Sequence, residues 1–240
     1  MGTKQRIDKI LSNMGYGTRK EVKELIKSGL VEINGSVAKD SGQQVEADSQ
    51  EIKVSGRRLF YKDFIYILMN KPQGVISATE DRRERTVVDL LPDEFKAFNP
   101  FPIGRLDKDT EGLLLLTNDG NLSHMLLSPK KHVPKTYFAK VMGRVSEKDV
   151  EAFSKGVTLE DGYKTMASQL KILLMGTISE VEITIYEGKF HQVKRMFQAV
   201  GKEVIYLKRI SMGELKLDET LEPGSSRELQ DKERRIIGIE

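Results

Sequence analysis

The sequence predicts an α+β fold in which a short helical module precedes a larger, strand-rich region. Three observations carry this. Ile7, Ile10, Leu11 and Met14 recur at i, i+3, i+4 and i+7, the spacing of one helix face. Leu113 to Leu116 is an unbroken apolar run, too short for a buried helix and bounded by turn residues, and reads as a buried strand. Val181, Ile183 and Ile185 alternate strictly with Glu182, Thr184 and Tyr186, the period of a half-buried strand.

At 240 residues the chain suits one sizeable domain, or a small one and a medium one. The absence of Cys excludes disulfides, thiolate metal sites and cysteine nucleophiles, and points to a reducing compartment. No signal-type apolar segment opens the chain and no run approaches membrane-spanning length, so a soluble, cytoplasmic protein without a membrane partner is expected. The net charge is only +3. Its distribution is more telling: residues 1–60 hold 11 Lys+Arg against 8 Asp+Glu, and the rest of the chain is balanced.

In chain order, the first helix should end at Gly15. Thr18 stands three before Glu21, a capping box that opens a second helix over Val22, Leu25 and Ile26, with Arg19, Lys20, Lys23 and Lys27 on its polar face. Val31 to Ile33, Asn34-Gly35 and Ser36-Val37 read as a hairpin. The polar, basic stretch 50–63 reads as a linker plus first strand, and Phe64 to Met69 as an apolar strand stopped at Asn70 to Gly74. Thr86 to Leu91 should be a short helix ended by Pro92, and Ser123 to Ser128 a helical turn. A helix over 146–155, loose strands over 156–174, a helix over 191–200 and closing strands over 204–209 and 213–217 complete the reading. Residues 227–240 read as a polar tail.

The stretch 104–120, GRLDKDTEGLLLLTNDG, joins a charged, turn-rich loop to the buried run, with Asn118-Asp119-Gly120 as a closing turn. A loop pinned to a core strand is how a fold presents a reactive side chain, and Asp107, beside Arg105, is the candidate. Asp107, Asp109 and Glu111 imitate the start of a calcium loop. The position that needs a bidentate Glu is Asn118, however, and leucines occupy the intervening ones, so that reading fails. On composition alone, an ordinary charged loop before a core strand is the simpler account.

Pro129 to Lys140 carries Lys130, Lys131, Lys135 and Lys140 with Tyr137 and Phe138 and no acid. Cations with interleaved rings suit single-stranded RNA, although both aromatics also suit a strand core. No Walker loop and no GxGxxG occurs, and His124, His132 and His191 are scattered. What the inventory permits is a carboxylate-centred reaction without cofactor or metal.

GRLDKDTEGLLLLTNDG resembles the signature of rRNA pseudouridine synthases of the small-subunit type, in which the Asp after Arg-Leu is catalytic. Leu68 to Val75, Lys135-Thr136-Tyr137 and Glu187 to Phe197 (EGKFHQVKRMF) resemble further motifs of that family, in family order. Arg6 to Lys9, Gly17 to Glu21, Ile26 to Gly29 and Val31 to Gly35 resemble the S4 RNA-binding module, over nearly all of residues 4–50. The resemblance implies an S4-like domain and linker over 1–60 and a catalytic domain over 61–240, built on a long, mostly antiparallel sheet. Asp107 would be catalytic. Tyr137 would stack on the target base, Arg105 would fill the gap it leaves or hold the neighbouring backbone, and Leu207 would line the uracil pocket. Lys194 would stabilise the charged Asp107, with Arg195 as fallback and RNA contact. Arg19, Lys20, Lys23, Lys27, Lys130, Lys131 and Lys135 would bind RNA, largely at phosphates.

The implied reaction is isomerisation of uridine in small-subunit (16S) rRNA, or in a small-subunit assembly intermediate, by a monomer. The base flips out, its N1–C1′ bond breaks, and it rejoins C1′ through C5. Asp107 could attack C1′ or remove a ribose proton to give a glycal. Both bonds join C1′, so no cofactor is implied. Ser128-Pro129 before Lys135 and Gly188 to Arg195 favour the small-subunit branch over the large-subunit (23S) one, which shares most motifs. A non-catalytic rRNA-binding assembly factor would lack the complete Asp, Tyr and basic set. A carboxylate glycosidase would need Asp109 or Glu111 as a second acid facing Asp107.

Overall fold

A computed structural model describes residues 4–47, 49–59 and 61–239. Its contacts divide the chain into two compact units, Met1–Ile65 with Pro92–Pro100, and Tyr66–Leu91 with Phe101–Glu240.

In the first unit, strand β1 (Gln5–Arg6) leads into α1 (Ile7–Asn13), and α2 (Arg19–Lys27) follows. The α2 capping box forms as its sequence requires: Glu21 N donates to Thr18 Oγ1, and Thr18 N donates to Glu21 Oε2. Strands β2 (Val31–Ile33) and β3 (Ser36–Val37) are joined by Asn34-Gly35, both at positive φ, which a tight two-residue hairpin demands. The short β4 (Gln44–Val45) pairs with β1. Residues 50–63 are more than linker. β5 (Ile52–Val54) and β6 (Arg57–Leu59) form a second hairpin, giving an antiparallel sheet in the order β3-β2-β5-β6. Ile52 and Val54 face inward around Lys53, too brief an alternation to stand out in a basic stretch. Ile7, Ile10, Leu11, Val22, Ile26 and Val31 are buried with them in one core. The single turn α3 (Asp93–Lys96) also belongs here, with Pro92 as its N-cap, and the short helix expected over 86–91 is only one 3-10 turn, Val88–Leu90.

The second unit is built on β7 (Tyr66–Lys71), β8 (Phe101–Pro102), β9 (Glu111–Thr117), β10 (Lys135–Met142), β11 (Gln169–Leu174), β12 (Ile178–Ile185), β13 (Glu203–Met212), β14 (Leu215–Lys216) and β15 (Ser226–Glu228). They form one sheet in the order β11-β12-β10-β13-β9-β7-β15, with β14 beside β13 and β8 beside β9. Every pair is antiparallel except β13 with β9. Leu113 to Leu116 are all fully or nearly fully buried because β9 is covered on both faces, which is why this run does not alternate.

Four helices flank the sheet: α4 (Gly120–Leu127), α5 (Glu147–Ser154), α6 (Gln192–Ala199) and α7 (Asp231–Ile236). α5 packs on β11 and α6 on β13, and Phe153 meets Phe197 with ring centroids 4.9 Å apart. The closing turn expected at 118–120 is instead a helix start. Asp119 Oδ1 accepts from Asn121 N and Leu122 N, so α4 begins a turn earlier than the sequence suggested. The tail is ordered as well: Arg227 grips both carboxylate oxygens of Glu233 and one of Asp218, while Leu229 and Ile237 join the core.

Gly112 enforces the parallel contact. At φ +101°, a Cβ there would lie 2.3 Å from the Arg209 carbonyl oxygen, so only glycine lets β9 and β13 approach this closely.

Candidate active site

The loop 104–110 joins β8 to β9 and is fixed from beneath by two side chains. Lys71, at the end of β7, is fully buried, and its Nζ donates to the carbonyls of Pro72 (3.0 Å), Asp107 (3.0 Å) and Thr110 (2.9 Å). Ser77 Oγ accepts from Leu106 N (3.0 Å) and donates to Leu106 O (2.9 Å). The main chain on both sides of Asp107 is therefore held, and its carboxylate is free to face α6.

Two groups meet that face. Lys194 Nζ sits 3.2 Å from Asp107 Oδ2 and 2.5 Å from Asp109 Oδ1, bridging the two acids. His191 Nε2 is 3.6 Å from Asp107 Oδ1. Partial burial works to raise Asp109, but the Lys194 hydrogen bond and charge outweigh it and leave the carboxyl below its ordinary range. Burial pulls the Lys71 ammonium down to about 8, against the upward pull of Asp109, Asp107 and Glu111.

Beside Asp107 lies a cavity of about 90 Å³, walled by Tyr137, Leu207, Ile185 and Val193 and rimmed by Arg105 and His191. Tyr137 (β10) and Leu207 (β13) are almost fully buried, whereas Arg105 is exposed. A slot with Tyr137, Leu207, Ile185 and Val193 on its walls, polar groups on its rim and one paired carboxylate at its edge suits a flat ring whose attached carbon meets the acid. Gln192, buried at the start of α6, shapes the opposite rim: its Oε1 accepts from Lys189 N and its Nε2 donates to Glu187.

The expected site residues thus fall into two groups. Asp107, Arg105, Tyr137, Lys194 and Leu207 converge. Arg195 does not: it pairs with Asp161 at 2.5 Å and lines a separate depression with Thr158 and Gln198. Lys130 and Lys131 are exposed on a 3-10 turn, and Lys135 lines a second, larger cavity. Arg19, Lys20, Lys23 and Lys27 are exposed on α2, as their helical spacing requires. Sequence reasoning missed Lys71, Ser77 and Gln192. Lys71 and Gln192 lie inside quoted motifs, but nothing local marks a lysine for burial. Among the described residues, no group of three or more His, Asp or Glu side chains is arranged to hold a metal ion, and no helix is long and apolar enough to cross a membrane.

Residues 65–199 match the RNA pseudouridylate synthase family, and residues 5–51 match the S4 domain. An uncharacterized RNA pseudouridine synthase of Bacillus subtilis is 54% identical over 97% of this chain and 98% of its own. The ribosomal large subunit pseudouridine synthase B of the same organism is 41% identical, covering 95% of this chain and 93% of its own. The ribosomal small subunit pseudouridine synthase A of Vibrio cholerae is 40% identical, with 95% and 97% covered. A crystal structure of a pseudouridylate synthase, 35% identical, superposes with a TM-score of 0.68 over 97% of this chain and 99% of that one. The chain, in which an S4 domain is followed in sequence by the domain with the mostly antiparallel sheet, therefore belongs to the RNA pseudouridine synthase family, an isomerase family.

Proposed function

We propose that this enzyme isomerises a uridine of small-subunit (16S) ribosomal RNA to pseudouridine. The observation that carries the reading is the Asp107 carboxylate, 3.2 Å from Lys194 at the edge of a slot walled by Tyr137 and Leu207. Residues 1–60 act as the S4-like RNA-binding domain and linker, and 61–240 as the catalytic domain.

The target uridine is stacked or paired in RNA, so it is flipped into the slot, where Tyr137 stacks on the uracil and Leu207 backs it. Arg105, exposed on the rim, holds the neighbouring backbone or fills the vacated place. Asp107 either bonds to C1′ as N1 leaves, or takes the C2′ proton to give a glycal. In both routes the freed uracil turns within the slot and C5 bonds to C1′, displacing Asp107 in the first route and with Asp107 returning the proton to C2′ in the second. The C5 proton is then lost and N1 gains one, so the product is an isomer and nothing external is consumed. Lys194 faces the Asp107 carboxylate at 3.2 Å before the bond breaks. Lys130, Lys131 and Lys135, with the α2 cations, bind phosphates, and Arg195 contacts RNA outside the slot. The enzyme works as a monomer in the cytoplasm.

Ser128-Pro129 before Lys135 and the run Gly188 to Arg195 support the small-subunit target, as does likeness to small-subunit synthases. Likeness at 41% to a large-subunit synthase supports the second reading, a 23S uridine. Mapping pseudouridines in rRNA from cells with and without this protein decides between them. A 16S position lost with the protein is expected; a lost 23S position selects the second reading, and no lost position in either rRNA removes both.

A further inference from the structure

The larger cavity, about 390 Å³, shares Arg105, Tyr137, Gly188 and Lys189 with the slot beside Asp107. Its charge is one-sided. Lys135 and Arg209 both line it, together with Arg105, Lys189 and His132. Glu187 is the sole acid among its lining residues, and both its oxygens are taken: Oε2 accepts from Tyr163 (2.6 Å), and Oε1 accepts from Met166 N and Gln192.

Two features of this cavity go unexplained by the fold. Arg209 is only 4% exposed, and although its Nε donates to Leu113 O at 2.8 Å, its buried Nη2 has no hydrogen-bond partner. A buried guanidinium N–H left unpaired is costly, and native proteins seldom leave one so. Lys135 lacks an acidic partner among the described residues, and burial first, then the Arg209 charge, lowers its affinity for a proton. An anion in the cavity would give Lys135 a partner and cancel its repulsion with Arg209.

We propose that this cavity is a phosphodiester subsite for the RNA backbone beside the flipped nucleotide, with Lys135 and Arg209 as its paired cations. The inference rests on the RNA-modifying reading above. The shared wall of Arg105 and Tyr137 supplies the argument for RNA: a chain whose base enters the slot must carry its adjoining phosphate past those two residues. Tyr163, its ring under the Lys189 ammonium at 4.8 Å, and Tyr186 are also in the lining. The subsite sets how the strand is threaded, and its residues are positioning groups that take no part in bond breaking.

The test uses the full-length protein and an rRNA stem-loop carrying the mapped uridine. Single phosphates on either side of that uridine are replaced, one at a time, by uncharged methylphosphonate linkages. In wild type, one replacement should weaken binding or single-turnover conversion about tenfold. Lys135→Gln should lose about tenfold on unmodified RNA and lose little more on that linkage, since a contact removed once cannot be removed again. Arg209→Lys, which keeps the charge, should show an intermediate loss, and thermal melts of each variant separate binding from folding. Fully additive losses, or no sensitive linkage while wild type converts the stem-loop, would overturn the subsite. Stabilisation of wild type by inorganic phosphate, absent in Lys135→Gln and with no linkage effect, would reassign the cavity to a free anion. Failure of the wild type to modify any rRNA is a different result and removes the synthase reading itself.

Discussion

Lys71 Nζ donates to the main-chain carbonyl of Asp107 at 3.0 Å, across 36 positions of sequence and from a side chain with no solvent exposure. The proposed reactive carboxylate is therefore held from behind by a buried cation and from in front by Lys194. One fixes the backbone and the other the charge.

Replacing Lys71 tests the first of these. Lys71→Met keeps the volume but strands the carbonyls of Pro72, Asp107 and Thr110, at roughly 1–3 kcal/mol for each buried acceptor left without a donor. A clearly lower denaturation midpoint is expected, with turnover reduced even where the variant is folded. The pH dependence has a definite sign. With the folded value near 8 and the unfolded one near 10.5, the unfolded chain keeps a proton that the folded chain has released, so stability gains with rising pH across that window. Lys71→Met should lack this gain. Parallel stability–pH curves for the two proteins would show that Lys71 does not titrate there.

Asp107→Asn preserves shape and removes the charge that Lys194 faces. Single-turnover pseudouridine formation should be abolished, while RNA affinity equals or exceeds wild type because an anion has left a basic rim. Appreciable turnover would shift the chemistry to Asp109, the other acid on Lys194.

Tyr137 should act through its ring. Base stacking is worth about 1–3 kcal/mol, so Tyr137→Ala should slow conversion about tenfold to a hundredfold, and Tyr137→Phe should recover most of it. Normal conversion by the alanine variant would make Tyr137 a core residue only.

Arg19, Lys20, Lys23 and Lys27 are exposed on α2, with Lys27 paired to Glu24 at 3.0 Å. Neutralising all four should weaken RNA binding and flatten its salt dependence, by about 0.7–0.9 of log–log slope per lost phosphate contact. Turnover at saturating RNA should stay near wild type. An unchanged slope would leave α2 as a solvated surface.

What the sequence disclosed depended on how far each interaction reaches along the chain. The Thr18–Glu21 cap is three residues long, and the β9 run declares burial by itself; both were legible. Asp107 could not be told from an ordinary loop acid by local chemistry, and only the order of motifs singled it out. Lys71, Arg209 and Arg227 escaped because their partners lie elsewhere in sequence or are absent, and a cation does not announce that it will be buried. Helix α4 was placed late because Gly120 is a poor helix former, and the Asp119 cap that rescues it looks like a turn.

The bridging position of Lys194 has a bearing on the reaction coordinate. In the proposed chemistry Asp107 surrenders its negative charge midway, to a carbon or to a proton. A lysine with a single counterion would then lose its ion pair. Here Asp109 also lies 2.5 Å from the ammonium. The second acid acts as a standing counterweight, so the electrostatic balance of the site need not be rebuilt each time the first acid changes state.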